Sequence, residues 1–416
     1  MTDVDYGDAA RLTSALEDRL TAAIAGDGVS RRTVLGGLGV AGSAALGLSG
    51  PGAAGGGHDE DGHGNFGAKG EYDDRSFDPH EYLRTFNTGH EGRDGVNEGV
   101  YEENGRTVRH FTLTAVDTTI EIAPGVEFEA WSFDGQVPGP TLRVVEGDLI
   151  RVTFRNRSRH AHTIHPHVKN VDPGMDGTPQ TGPGVLDTDE AFTYEWEAQP
   201  AGVHFYHCHS LPLKEHLHRG LYGAIVVDPD PDRVRENPRE YVSGHHPVSD
   251  EYAAELVDRA KTRNHEYPEN DRYDELVMVM NGFDTNFDGE NEVYAANTRA
   301  FAYGVGSTDG NGEWEEGETK RPIQIDGEGR QRVYLINATE FDPINSFHTH
   351  SQFFDYYDHG TTLEPTHGTV DTVMQCQAQR GVIDLDYGDH EPGLYMFHAH
   401  QSEFAELGWM SFFEVV

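Results

Sequence analysis

The stretch GVHFYHCHSLPLKEH, residues 202–216, sets His204, His207, His209 and His216 around Cys208, one of two cysteines in 416 residues. A thiolate among imidazoles is soft-donor metal chemistry. His165 with His167, His348 with His350 and His398 with His400 repeat the His-x-His spacing of His207 with His209. Successive side chains of a strand point to opposite faces, so His207 and His209 share one face while Cys208 takes the other. His165 and His167 likewise share a face, and His162, an odd number of positions away, projects oppositely. His162 and Cys208 therefore meet on one side while the paired histidines gather on the other. His216 is read as the second imidazole beside Cys208, with His218 the competing choice. His160 and His204 are placed outside the ligand sets. A His2Cys set with a weak or missing axial donor favours a blue, electron-transferring copper. Leu221 takes the place where a thioether often sits, which raises the reduction potential.

The elements that must position these residues are short β-like runs. FTLTAVDTTIEIA, LIRVTFRN, AFTYEWEA and YGAIVVDP alternate or carry β-branched and aromatic residues between Gly and Pro turns, the pattern of a sandwich. The parts then recur in the same order. EGDLIRVTFRN precedes HTIHPH and PAGVHFYHCH in the first half; EGRQRVYLINAT precedes NSFHTH and EPGLYMFHAH in the second. Two copies of one β-sandwich are expected, each supplying two His-x-His pairs. In the second copy Asn345 stands for His162, Ala399 for Cys208, and Phe404 holds the position of the later histidine. Only the first half keeps the thiolate site.

Composition narrows the partners. Asp and Glu number 72 against 31 Lys and Arg, a formal charge of −41, which repels nucleic acid and anionic membrane. The excess runs along the whole chain, as expected of a surface kept hydrated in strong brine, where salt screens self-repulsion; a haloarchaeal source is the expectation. Residues 1–55 are read as a signal region, because Arg31 and Arg32 precede a Gly- and Ala-rich apolar run. That run is shorter than the ~20 residues of a membrane helix, so twin-arginine export to the outside or the cell surface is expected, with no stable span. Residues 56–105 form an acidic, Gly-rich lead-in, 106–230 the first sandwich, 231–270 a connection with a helical look around DEYAAELVDRAK, and 271–416 the second sandwich. Cys376 is read as a small buried residue. The stretch DTNFDGENEVYA has an EF-hand look but places Ala295 where a bidentate Glu is needed, so a polar hairpin loop is the better reading.

FDGQVPGPTLRVVEGD, HTIHPH, MDGTPQTGPG, HCH…H…GL and FHAHQSEFAELGWM together resemble a two-domain, laccase-like multicopper oxidase, over about residues 106–416. The resemblance implies an all-β chain of two cupredoxin-like Greek-key sandwiches and four coppers per subunit. His162, Cys208 and His216 would hold type 1 copper, His165 and His348 type 2, and His167, His207, His209, His350, His398 and His400 the type 3 pair. It further implies a homotrimer whose three-copper cluster lies between domain 1 of one subunit and domain 2 of its neighbour. A reducing substrate, phenolic or a metal ion, would give single electrons to type 1 copper, and dioxygen would be reduced to water at the cluster. Asp176 resembles the family's proton-relay carboxylate, with Glu403 and Glu406 as weaker candidates. Copper nitrite reductase shares the two-domain trimeric design, but its pattern resembles an aspartate at the place of His165 and no histidine at that of His209. A non-enzymatic copper-binding protein is the remaining alternative; it has no need of a Cys208 relay between two ordered sites.

Overall fold

The structure is a computed structural model, which describes residues 77–90, 96–123, 126–304 and 321–416. The signal region and most of the lead-in lie outside the described residues. The first half folds into strands β1 (Asn97–Glu103), β2 (Arg106–Ala123), β3 (Val126–Phe133), β4 (Gly139–Val145), β5 (Leu149–Asn156), β6 (His165–Pro166), β7 (Ala191–Glu197), β8 (Gly202–His207) and β9 (Tyr222–Asp228). One sheet runs β1-β2-β5-β7 with β3 on β2, the other β4-β9-β8-β6. In β5 the residues Ile150, Val152 and Phe154 point into the core while Arg151, Thr153 and Arg155 alternate outward, the period-2 pattern of a half-buried strand. Trp196, Tyr194 and Phe111 fill the space between the sheets, and Cys208 and Leu221 belong to the same apolar cluster.

The second half repeats the plan with β10 (Tyr273–Phe283), β11 (Val293–Ala296), β12 (Ile323–Ile325), β13 (Arg330–Asn337), β14 (Ile344–Thr349), β15 (Phe354–Asp358), β16 (His367–Val370), β17 (Thr372–Cys376), β18 (Arg380–Asp386), β19 (Gly393–His398) and β20 (Met410–Val415). Its sheets run β11-β10-β13-β18-β15-β16 and β12-β20-β19-β14-β17. The correspondence is strand by strand. Parallel β2/β5 and β4/β9 match parallel β10/β13 and β12/β20, and the His165–His207 register pair of β6/β8 matches His348–His398 of β14/β19. Both halves are all-β sandwiches of the cupredoxin kind.

Two readings need correction or extension. Cys376 is exposed rather than buried, because β17 turns Val373 and Gln375 inward and leaves Thr372, Met374 and Cys376 outside. Within the expected lead-in, residues 79–83 form a helix, α1 (Pro79–Leu83), that buries Tyr82 and Leu83, and β1 begins at Asn97; one helical turn is too short to leave a periodic signal.

Between the sandwiches lie α2 (Leu213–His218), which belongs to domain 1, then α3 (Pro231–Glu236) and α4 (Asp250–Arg263), the last capped by Ser249 Oγ. Domain 2 packs directly on β8, whose six residues are all buried. Val203 N–H donates to His359 O (3.0 Å), and a Cβ at Gly202 (φ +133) would come within 2.4 Å of that oxygen, so only glycine fits there. A buried ionic cluster adds to the joint: Arg143 meets Asp228 (2.9 Å) and Glu275 (2.7 Å), and Asp228 also receives His265 Nδ1 (2.5 Å). Charges from β4, β9 and β10 thus neutralise one another out of water. Among the described residues no helix is long and apolar enough to cross a membrane.

Candidate metal centre

Cys208 follows β8 and is held to β9 by its N–H to Leu221 O (2.9 Å). Its Sγ lies 3.2 Å from His216 Nδ1 and 3.8 Å from His162 Nδ1, and the two Nδ1 atoms are 3.1 Å apart. Three soft or borderline donors thus converge in a fully buried pocket. The chain returns from α2 to β9 through Gly220 (φ +110), where a Cβ would strike Val137. Neighbouring groups fix the ligands. His162 Nε2 pairs with Ser158 Oγ (2.9 Å), which donates to Asp117 Oδ1 (2.7 Å), so the ring proton sits on Nε2 and Nδ1 keeps its lone pair. Thr163 N–H and Ser210 N–H approach Sγ at 3.4 and 3.5 Å. Burial pushes the Cys208 thiol up and pulls His162 and His216 down to about 3 and about 4. The imidazoles stay neutral, as ligands must, and a cation in the pocket supplies what the thiolate lacks.

On the other side of the strand, His165, His167, His207 and His209 form one group. His167 Nε2 and His207 Nε2 face each other at 3.0 Å. His165 Nδ1 donates to Asp176 O (2.7 Å) and His207 Nδ1 to Cys208 O (2.8 Å), which leaves both Nε2 lone pairs toward the group. The His209 ring lies 5.3 Å edge-on from that of His165 and 5.6 Å, tilted, from that of His207, and its buried Nδ1 has no protein partner. Burial and mutual repulsion of the rings hold His167 near 2 and His207 near 3. Domain 2 builds the same arrangement: His350 Nε2 faces His398 Nε2 at 3.0 Å, His348 Nδ1 bonds Asp371 O (2.9 Å), His398 Nδ1 bonds Ala399 O (2.6 Å), and His400 lies 4.9 Å from His348. Nitrogen pairs facing at that distance, with His207 and His398 each fixed by a carbonyl behind the ring, match a metal held between them. Among the described ring contacts, none joins the two groups.

The sequence-predicted residues are sorted by these contacts. His216, not His218, reaches the thiolate; His218 turns away and accepts Asp284 N–H on Nε2 (3.2 Å). His204 is buried between His167 O and Pro200 O, outside the ligand group. Leu221 is fully buried. Asp176 lines an open cavity of about 530 Å³ with His165, His167 and Arg380, and its carboxylate lies 3.4 Å from His165 Nδ1. Glu403 lies half-buried on the short helix α5 (Ser402–Glu406) after His400. In domain 2 the place of a thiolate site is filled: Ala399 and Asn345 are fully buried, and Phe404 stacks on Tyr294 at 3.9 Å. The loop DTNFDGENE is the β10–β11 hairpin, with Asp284, Asp288 and Glu292 brought within 4.8 Å of one another. Sequence reasoning missed Ser158, Asp117 and Trp131 behind the thiolate site, and Arg380, whose Nη2 donates to His167 O (3.4 Å). No spacing rule marks them: Asp117, Trp131 and Arg380 arrive from distant strands, and Ser158, four residues before His162, is a loop serine like any other.

Comparison with known proteins agrees with this arrangement. Two family models described as multicopper oxidase match residues 114–232 and 284–416. A solved structure described as a multicopper oxidase is 39% identical, with 82% of this chain and 97% of that one covered and a TM-score of 0.63. Laccase 1 of Metarhizium acridum is 39% identical over 103 residues, 24% of this chain and 16% of that protein. Copper-containing nitrite reductase of Neisseria meningitidis is 34% identical over 119 residues, 28% of this chain and 30% of that protein. The matches to these curated relatives span less than a third of their lengths. On the two domain matches and the full-length similarity, the chain belongs to the multicopper oxidase family.

Proposed function

We propose that the chain is a laccase-like oxidase that takes single electrons from a small reducing substrate at the Cys208 site and reduces dioxygen to water at a three-copper cluster. Copper, when bound, supplies the one-electron oxidation and the four-electron reduction. His162, Cys208 and His216 would hold the type 1 ion, His165 and His348 the type 2 ion, and His167, His207, His209, His350, His398 and His400 the type 3 pair. Cys208, bonded on either side to His207 and His209, forms a two-residue bridge between the sites. Asp176, beside His165 in the open cavity, would carry protons to the cluster, and Glu403 is the second candidate.

The observation that carries this reading is the pair of matching half-sites, each with four histidines and facing nitrogens. Among the described ring contacts none joins the halves, and His350 and His400 are exposed. Phe353 and Met374, in the same sheet region, are exposed at 56% and 63%. An apolar, histidine-bearing face of this kind suits burial against another copy, so the cluster is placed between domain 1 of one subunit and domain 2 of the next in a homotrimer. Export by a twin-arginine signal and function in strong salt are part of the same proposal, resting on Arg31–Arg32 and the charge of −41.

Nitrite reduction is the second reading, favoured by the nitrite reductase relatives. It leaves His165 and His209 without a task. The test is a copper count, a visible and spin-resonance spectrum, and parallel assays of oxygen uptake and nitrite turnover on the loaded protein. About four coppers per chain with oxygen consumption is expected. About two coppers with nitric oxide production would sink the oxidase.

A further inference from the structure

The two imidazoles of the Cys208 site are sealed from water: His162 is 0% and His216 3% exposed. A single aromatic side chain, Trp131 at the end of β3, covers both, with its ring 4.7 Å from that of His216 and 5.5 Å from that of His162. Trp131 is itself 8% exposed. On it lies His160, which is exposed, at 4.3 Å and tilted by 34°. Arg219 rests against the indole at 4.9 Å and against Phe287 at 4.4 Å, and Phe287 is 48% exposed. The backbone N–H of Trp131 donates to Arg219 O (2.9 Å), and Glu215 holds the guanidinium (3.1 Å), which sets β3 and its indole beside the end of α2 that carries His216.

We propose that electrons reach the Cys208 site through Trp131, from a planar aromatic donor seated against His160. The proposal rests on the type 1 reading above. The rim is built from flat groups, an imidazole, a guanidinium and a phenyl ring, which offer stacking and cation–π contact to a phenol or arylamine and little to a hydrated ion. The indole continues that contact inward to His216 without a gap for water, and it acts as a coupling bridge that is not itself consumed. Each transfer removes one electron from the donor. A phenol would leave as a phenoxyl radical, its proton passing to water and its electron to the one-electron acceptor, a cupric ion, that His162, Cys208 and His216 would hold.

The test uses the copper-loaded full-length protein and its Trp131→Leu, Trp131→Phe and His160→Ala variants. Copper content, visible absorption and the type 1 potential are measured first, followed by anaerobic stopped-flow bleaching of the blue band with 2-methoxyphenol or with ferrocyanide. Trp131→Leu is expected to keep its copper, colour and potential while the phenol rate falls at least about tenfold, with Trp131→Phe recovering part of it. His160→Ala is expected to raise the half-saturating phenol concentration several-fold and to leave the ferrocyanide rate within about twofold. An unchanged phenol rate in blue Trp131→Leu overturns the route, and equal losses for both donors in His160→Ala overturn the aromatic seat. If Trp131→Leu does not fold, Trp131→Phe and His160→Ala decide by the same criteria. Lack of blue absorption in the wild-type protein removes the type 1 reading, and the route with it.

Discussion

At Cys208 burial and chemistry pull in opposite directions. A thiol in an apolar pocket resists ionisation, yet a metal at the proposed type 1 site would need the thiolate. Two backbone N–H groups aimed at Sγ and two neutral imidazoles reduce the conflict, and a bound cation removes it. Cys208→Ser should therefore lose the blue absorption while copper held by the paired histidines remains; retained colour would refute the thiolate assignment. Ser158 works one step further back. It accepts a hydrogen bond from His162 Nε2–H and donates one to Asp117. Ser158→Ala leaves that N–H in a buried pocket without an acceptor and frees the ring to turn. Affinity for type 1 copper should fall roughly 10- to 100-fold, as read by chelator competition, with the other coppers unaffected. That Cys208 would part from His207 and His209 onto opposite sides of the strand was legible in the sequence, because their spacing is covalent and successive side chains alternate faces. His216 against His218 was open, because on a one-and-a-half-turn helix both lie within reach of the strand, and only packing of His218 against Asp284 decides. Ser158, Asp117 and Trp131 left no trace, since they meet the site through space.

At the scale of elements, β6 and β8 and their counterparts β14 and β19 carry the histidines as paired strands, so register alone sets His165 opposite His207 and His348 opposite His398. This was legible as a repeat of motif order, which is why both sandwiches were expected. The first turn of helix at Pro79–Leu83 was not, and neither was the outward face of β17. The strand arrangement has a cost in acid. His162, His167 and His207 are buried neutral, held at about 3, 2 and 3, whereas an unfolded histidine titrates near 6.5. Below about 6.5 the unfolded chain therefore binds more protons than the native one, and stability declines as pH falls from there toward about 3. The metal-free protein should melt at progressively lower temperature between pH 7 and pH 4 in constant salt. Copper loading should hold the melting temperature up to lower pH, because protons must displace the metal before the rings can charge. A metal-free melting temperature that does not move across this window would contradict the neutral-histidine arrangement.

At the scale of the whole molecule, the joint between the sandwiches fixes their relative pose while keeping the two histidine groups apart. Domain 2 buries β8 from behind, Arg143 neutralises Asp228 and Glu275 across the joint, and Arg380 reaches the His167 carbonyl. A joint of that kind does not open to let His348 and His350 meet His165 and His167 in the same chain. The proposed trimer instead makes each cluster from two chains, and this can be tested by complementation. A Cys208→Ser chain has an intact domain 2, and a His398→Ala chain has an intact domain 1; each alone should be nearly inactive as an oxidase. Co-expressed with separate tags and purified as mixed assemblies, they can form clusters that take domain 1 from the second and domain 2 from the first. In a mixed trimer of either composition one of the three sites pairs an intact domain 1 with an intact facing domain 2, so about a third of wild-type oxygen uptake should return. Mixed assemblies of demonstrated composition that remain inactive would place both halves of the cluster within one chain, and the interdomain joint would then have to be a different one in solution.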